Sequence, residues 1–217
     1  MKTLITFLAF TSLSAIGSLA QSPVFSVPFE DSVECGGKVT AKVVGRITFE
    51  DGIIGKAGTF DGSSWVEVAH SPDFDSPTFS ISSWASPQQE KCSGRIVEKG
   101  PSNSFWLTFY WGRARFGFWD RNEGYQEIDS STKFKANEWH HVAGTFDGKV
   151  LRLYVDGKLE AMRNTTAVPN FNKQPLIIGA KYQGIAGDCF IGALDDVAFY
   201  NRALSETEIQ AMSQPKK

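Results

Sequence analysis

The chain of 217 residues carries 22 basic and 24 acidic side chains, and its formal net charge is −2. Lys and Arg form no run before Lys216 and Lys217, so the sequence does not predict a basic surface of the kind that binds nucleic acid. No apolar stretch is long enough to cross a bilayer, which argues against a membrane span.

The first twenty residues have the pattern of a secretory signal peptide. Lys2 precedes a mostly apolar run over residues 4–10, and small residues occupy positions 18 and 20. We therefore predict a signal peptide at residues 1–20 and a single mature domain at residues 21–217. The mature protein is then expected to be secreted to the extracellular space, or to the periplasm if the source is Gram-negative.

The three cysteines, Cys35, Cys92 and Cys189, are an odd number for an exported chain. One disulfide and one free thiol is the simplest arrangement, and the sequence leaves all three pairings open. There is no paired Cys or His motif with the spacing of a zinc site.

Many short segments of strand-like pattern follow one another along the mature chain, separated by turn residues. In chain order they cover residues 24–30, 39–49, 65–69, 79–84, 95–99, 105–111, 115–119, the two arms of 139–157, 176–180 and 190–200. This spacing predicts an all-β sandwich of antiparallel strands.

The clearest of these segments is a hairpin at residues 139–157 (WHHVAGTFDGKVLRLYVDG). Asp147-Gly148 suits a tight turn with positive φ between the two arms. Apolar residues alternate along both arms, which predicts one buried face. The other face carries His141, Thr145, Arg152 and Tyr154.

One short C-terminal helix is predicted after the last strand. Ser205 precedes Glu208 by three residues, which is the spacing of a capping box, and Ile209 and Met212 then provide an apolar side.

Four segments in order resemble the laminin G-like, concanavalin A-like jelly rolls. They are Phe-Asp-Gly to Val-Glu-Val at 60–68, FSISSW at 79–84, the hairpin at 139–157, and FIGALDDV running into YNRALS at 190–205. The resemblance covers nearly all of the chain from about residue 24. It implies an antiparallel β-sandwich jelly roll.

Aromatic side chains alternate along two of the strands. Phe105, Leu107 and Phe109 are predicted to face the core, which leaves a polar and aromatic outer face that the central hairpin would extend. Rings beside Arg and His donors suit sugar recognition, although such rings can also simply cover a sheet. The candidate carbohydrate-binding residues are Trp106, Tyr110, Arg115, Trp119, His141, Arg152 and Tyr154.

Acidic residues form a second candidate site. The resemblance implies a structural calcium ion (Ca²⁺) at the sandwich rim, held by Glu30 or Asp31 at the end of the first strand and by Asp195 in the last. Calcium prefers hard oxygen ligands of this kind, and a solvated acidic edge is the alternative. Strand alternation predicts that Asp196 points away from Asp195.

Catalysis has less support in the sequence. The Glu-x-Asp-x-x-Glu motif of laminarinase-type glycosidases is missing, as are Gly-x-Ser-x-Gly and HExxH. Tyr154, His141 and Arg152 leave open the chemistry of related polysaccharide lyases. The leading hypothesis is a non-catalytic domain that binds a polysaccharide or glycoprotein glycan. The alternatives are a protein–protein adhesion module and, less favoured, a small polysaccharide-degrading enzyme.

Overall fold

The computed structural model describes residues 22–37, 39–100, 104–181 and 189–215. The predicted signal peptide at residues 1–20 lies outside these ranges. The described strands are β1 (Phe25–Val27), β2 (Gly36–Gly37), β3 (Ala41–Val44), β4 (Thr48–Asp51), β5 (Lys56–Asp61), β6 (Trp65–Val68), β7 (Phe79–Pro87), β8 (Gly94–Lys99), β9 (Phe105–Tyr110), β10 (Arg113–Asp120), β11 (Gly124–Asp129), β12 (His140–Phe146), β13 (Val150–Val155), β14 (Lys158–Asn164), β15 (Leu176–Ile178) and β16 (Ile191–Tyr200).

These strands form two antiparallel sheets. The nine-stranded sheet has the order β14-β13-β12-β7-β16-β1-β2, with β5 also pairing β16 and β4 pairing β5. The seven-stranded sheet has the order β11-β10-β9-β8-β15-β6-β3. The predicted antiparallel β-sandwich is confirmed.

The core between the sheets is built largely from phenylalanine. Phe105, Leu107 and Phe109 of β9 are fully buried there, as the alternation predicted. The Phe79 ring of β7 lies 4.8 Å, centroid to centroid, from the Phe105 ring of the opposite sheet. Aromatic contacts of this kind across the core add specific geometry to the burial of apolar area.

The predicted central hairpin is formed by β12 and β13. Val142 pairs with Val155 and Phe146 with Leu151, and Gly148 has φ of 88° in the turn. A residue with positive φ is favoured there because it matches the twist of the two strands.

The predicted C-terminal helix is α1 (Glu206–Met212). The Ser205 side chain accepts from the Glu208 backbone N–H and the Glu208 carboxylate accepts from the Ser205 backbone, which completes the capping box. Ile209 is buried against Tyr154 of β13 and Leu204. The helix therefore covers part of the outer face of the nine-stranded sheet.

Cys35, Cys92 and Cys189 are all free thiols in the structure. The disulfide expected from the cysteine count is therefore not formed. Burial raises the pKa of the Cys35 and Cys92 thiols to about 11, because the charged thiolate is poorly solvated there. In the described part of the chain, α1 is far too short to span a bilayer, and no helix qualifies as a membrane span.

Candidate functional site

Four of the predicted sugar-binding residues lie on the outer face of the seven-stranded sheet. β9 and β10 pair so that Thr108 lies opposite Arg115 and Trp106 opposite Gly117. The face contains a groove of about 300 Å³, which we call the sheet groove. The residues that line it and carry the argument below are Arg95, Trp106, Tyr110, Arg115, Tyr125 and Glu127.

The rings of the sheet groove differ in how much surface they offer. Trp106 is only 2% exposed, since Tyr125 packs against its ring at 5.8 Å and the Arg95 guanidinium lies 5.9 Å from its centroid. Tyr125 is 59% exposed and Tyr110 is 44% exposed. The two tyrosines are therefore the rings that a ligand can reach, and Trp106 supports Tyr125 from below.

Arg115 is held in the groove by three charged or aromatic neighbours. Its Nε and Nη2 donate to the two carboxylate oxygens of Asp129 at 2.6 and 2.8 Å, and its Nη1 donates to Glu127 Oε1 at 2.8 Å. Its guanidinium lies 3.9 Å from the Tyr110 ring centroid. The hydrogen bond to Asp129 raises the pKa of Arg115, while burial raises the pKa of Glu127. The pair offers pre-positioned donors and acceptors with little net charge.

Trp119, the fourth predicted residue, lies opposite Tyr125 on β10 and is half-buried. It does not line the sheet groove. Sequence reasoning missed Tyr125 and Trp111, which is 66% exposed at the β9–β10 turn. Tyr125 falls in the segment that was interpreted as a polar loop, but this segment forms β11. The alternation of Tyr125, Glu127 and Asp129 was the signal that could have identified it.

The expectation that the central hairpin extends this same sheet is wrong. His141, Arg152 and Tyr154 lie in the nine-stranded sheet, because β12 pairs with β7 rather than with β10. Arg152 Nη1 donates to Asp147 Oδ2 at 2.6 Å across its own turn. Tyr154 is buried under Leu204. The seven candidates are therefore divided between opposite sides of the sandwich.

His141 lines a second concavity, which we call the helix cavity. It has a volume of about 340 Å³ between α1 and the nine-stranded sheet. His141 pairs with Trp84 of β7, and their ring centroids are 5.4 Å apart. Burial lowers the pKa of His141 to about 4, and Asp156 opposes this only in part. The residues that line the cavity are Ser26, Trp84, His141, Asp196, Ala198, Tyr200, Ala211 and Met212.

The proposed calcium ligands lie around the turn that joins β4 to β5. Asp195 is fully buried, and its Oδ2 accepts from the backbone N–H groups of Ile53 and Ile54 at 3.1 and 3.0 Å. Glu30 Oε2 accepts from Lys56 N at 3.1 Å on the same turn. Burial raises the pKa of Asp195 to about 6. Asp195 Oδ1 is buried without a hydrogen-bond partner, which leaves one carboxylate oxygen available to a cation.

Two backbone features accompany this acidic region. Asp31 and Asp196 both have positive φ, 56° and 48°, which is uncommon for residues other than glycine. Within residues 22–37, 39–100, 104–181 and 189–215, no three His, Cys, Asp or Glu side chains come together as a metal site. A calcium ion would therefore need backbone carbonyl or water ligands as well.

The prediction that Asp196 points away from Asp195 is wrong. β16 pairs Asp195 with Trp84 and Ala198 with Ser82, so it carries one more residue than β7 between these pairs. Such a bulge places two consecutive residues opposite one. Trp84 and Asp196 both line the helix cavity, and Asp195 shares the face of its partner Trp84.

The acidic segment around the β10–β11 turn has structural partners. Asp120 accepts from the backbone N–H groups of Asn122, Glu123 and Val168 at 2.6 to 2.8 Å. These bonds lower the pKa of Asp120 and tie the turn to a distant loop.

Two antiparallel sheets packed in this way define a concanavalin A-like jelly roll. The model of the family described as the concanavalin A-like lectin/glucanases superfamily (Laminin_G_3) matches residues 60–210. The chain belongs to this family, and the predicted resemblance is confirmed. A search of curated proteins finds no match.

Solved structures of similar fold are binding domains. The binding domain of Paraclostridial Mosquitocidal Protein 1 has a TM-score of 0.74 at 19% identity, with 88% of this chain and 51% of that chain covered. Domain 4 of AbnA, a GH43 extracellular arabinanase from Geobacillus stearothermophilus, in complex with arabinotriose, has a TM-score of 0.70 at 19% identity, covering 88% and 98%. The binding domain of botulinum neurotoxin DC in complex with rat synaptotagmin II has a TM-score of 0.69 at 16% identity, covering 88% and 51%. The chain thus spans about half the length of the two toxin domains.

Proposed function

We propose that the protein is a secreted, non-catalytic domain that binds a carbohydrate chain along the sheet groove. The observation that carries the proposal is the combination of two exposed tyrosine rings, Tyr110 and Tyr125, with the fixed Arg115–Glu127 pair between them.

The chemistry of the groove matches that of a neutral sugar. A tyrosine ring packs against the apolar face of a sugar ring, while charged side chains that are already paired exchange hydrogen bonds with its hydroxyl groups. Arg115 needs no reorganisation because Asp129 already fixes its guanidinium plane. Such preorganisation reduces the entropy that binding must overcome.

The similar structures give the proposal a first ligand class. Domain 4 of AbnA is described in complex with arabinotriose and is matched over 98% of its length. Arabinan and arabino-oligosaccharides therefore head the panel of ligands to test, beside glucans, galactans and glycoprotein glycans.

The direct test is affinity electrophoresis in gels that contain each polysaccharide. We expect retardation in at least one gel, and we expect Tyr125→Ala and Tyr110→Ala each to weaken it roughly 2- to 10-fold, the effect of losing one aromatic stacking contact. Met162→Ala is the matched control, because Met162 is 56% exposed on β14 of the other sheet. Retardation that both tyrosine variants retain in full would contradict the assignment to the sheet groove.

A calcium ion is proposed as a structural support at the rim. Asp195 Oδ1 would be one ligand, and Glu30 or Asp31 would approach from the end of β1. Bound calcium supplies positive charge that offsets the buried carboxylate. We expect calcium to raise the unfolding temperature of the wild type relative to EDTA and to have no such effect on Asp195→Asn.

The calcium test has its own control. Asp73→Asn changes an exposed carboxylate outside this region and should leave the calcium effect intact. An equal calcium effect in Asp195→Asn would contradict this ligand assignment. Retardation that persists in EDTA would leave the glycan proposal standing without calcium.

Protein binding is the second candidate function. A broad open surface of about 690 Å³ lies beside the β10–β11 turn and is lined by residues such as Gln126, Val150 and Thr165. It adjoins the rim segment 120–131. If no gel retards the protein, changes at this surface rather than in the sheet groove should weaken capture of a protein ligand. New reducing ends or unsaturated products would instead establish an enzyme.

A further inference from the structure

The helix cavity lies on the opposite side of the sandwich from the sheet groove and has no role in the proposed function. Its floor is formed by Trp84 of β7, His141 of β12 and Ala198 of β16, and one wall is formed by Ala211 and Met212 of α1. It is thus enclosed by elements from four separate parts of the chain.

Two polar atoms of the cavity walls have no hydrogen-bond partner. They are the indole Nε1 of Trp84 and the imidazole Nδ1 of His141, on side chains that are 6% and 2% exposed. Buried polar groups in folded proteins nearly always have a partner. Two unpaired groups side by side in one cavity therefore indicate a polar ligand that meets both.

The side chains of the cavity restrict the chemistry of that ligand. The Trp84 indole can only donate, the Asp196 carboxylate can only accept, and the His141 imidazole can do either in its neutral form. An anion would face the carboxylate, and among the described residues that line the cavity there is no Lys or Arg. A cation would leave the indole N–H unpaired. Hydroxyl groups, which both donate and accept, satisfy all three side chains.

We infer that the helix cavity binds one neutral sugar unit, whose hydroxyl groups bond to Trp84, His141 and Asp196 while its apolar face packs on Ala198 and Met212. This is a second site, beyond the proposed function of the sheet groove. The volume of about 340 Å³ lies at the small end of ligand pockets, which run from roughly 300 to 1,000 Å³. A free monosaccharide and the terminal unit of a glycan share this chemistry.

The test uses methyl glycosides of neutral hexoses and pentoses, with a methyl uronate as the charged counterpart. Binding is measured by calorimetry and located by the indole N–H signal of Trp84 in ¹H–¹⁵N spectra. Trp84→Phe identifies this signal by its loss and removes the donor while keeping an aromatic ring. We expect a saturable shift of the Trp84 signal with at least one neutral glycoside, and an affinity reduced roughly 5- to 10-fold in Trp84→Phe.

A blocking variant provides the independent arm. Ala211 is exposed at the mouth of the cavity on α1, so Ala211→Trp should fold normally and abolish binding. Met162→Ala should bind like the wild type. The inference is overturned if no neutral glycoside shifts the Trp84 signal, if Ala211→Trp binds undiminished, or if the uronate binds more tightly than its neutral counterpart.

Two further comparisons identify the source of the sugar and separate this site from the sheet groove. Equal affinity for a methyl glycoside and for longer oligosaccharides with the same terminal unit assigns a free sugar, and affinity that rises with chain length assigns a glycan end. Tyr125→Ala should weaken gel retardation and leave the glycoside titration unchanged. Either site can therefore fail while the other stands.

Discussion

Replacement of His141 by Phe is expected to change how the stability of the protein depends on pH. His141 is 2% exposed and burial lowers its pKa from 6.5 to about 4. The unfolded chain therefore takes up a proton below pH 6.5 that the folded protein accepts only near pH 4. The free energy of unfolding must fall as the pH is lowered through this window. At about 1.36 kcal/mol per pH unit, the full loss is roughly 3 kcal/mol.

The groups that face His141 are Trp84 of β7, Asp196 and Tyr200 of β16, Met212 of α1 and the nearby Asp156. Asp156 is the charged neighbour that raises the pKa of His141, and its effect is already included in the value of about 4. Burial dominates because the imidazolium would lose most of its hydration in this position.

Urea unfolding followed by tryptophan fluorescence at several pH values between 4 and 7 measures the effect. His140→Gln is the matched control, since the hydrogen bond with Asp156 raises the pKa of His140. That bond stabilises the protein at acid pH and is lost as pH rises, so the control should lose more stability than the wild type on acidification. His141→Phe should lose less. An identical acid-dependent loss in His141→Phe and wild type would refute the buried neutral imidazole.

Two further predictions concern stability. Gly144→Ala should destabilise the protein by about 1–3 kcal/mol, because a Cβ at Gly144 would lie within 3 Å of the buried Phe116 ring in the opposite sheet; chemical denaturation measures this, and a loss smaller than that of Gly124→Ala, where a Cβ meets nothing within 4 Å, would contradict it. Ser205→Ala should lower the unfolding free energy by about 1 kcal/mol through loss of the α1 cap, whereas the exposed Thr207→Ala should have a smaller effect, and equal effects would argue against the cap.

The parts of the fold that depend on local pattern could be predicted from the sequence. Alternation assigned Phe105 and Phe109 to the core, Asp147-Gly148 marked the turn of the central hairpin, and the Ser205–Glu208 spacing marked the start of α1. In each case the deciding interaction lies within a few residues along the chain, so the pattern carries the information.

The assignment of strands to sheets could not be predicted in the same way. The hairpin at 139–157 has one apolar face, which fits either layer of a sandwich, and the pairing of β12 with β7 joins segments about sixty residues apart. The prediction that placed His141 beside Trp106 failed for this reason. Exposure was equally hidden: Trp106 was the stronger candidate by residue type, but Tyr125 covers it.

The bulge in β16 shows how one extra residue decides the chemistry of a surface. Without it, Asp195 and Asp196 would alternate, and one carboxylate would enter the core. With it, Asp195 turns to the backbone N–H groups of Ile53 and Ile54 while Asp196 lines the helix cavity. The positive φ of Asp196 is the conformational strain that this arrangement requires. The same bulge therefore positions the proposed calcium ligand and an acceptor of the proposed sugar site, and neither role follows from the Asp-Asp dipeptide alone.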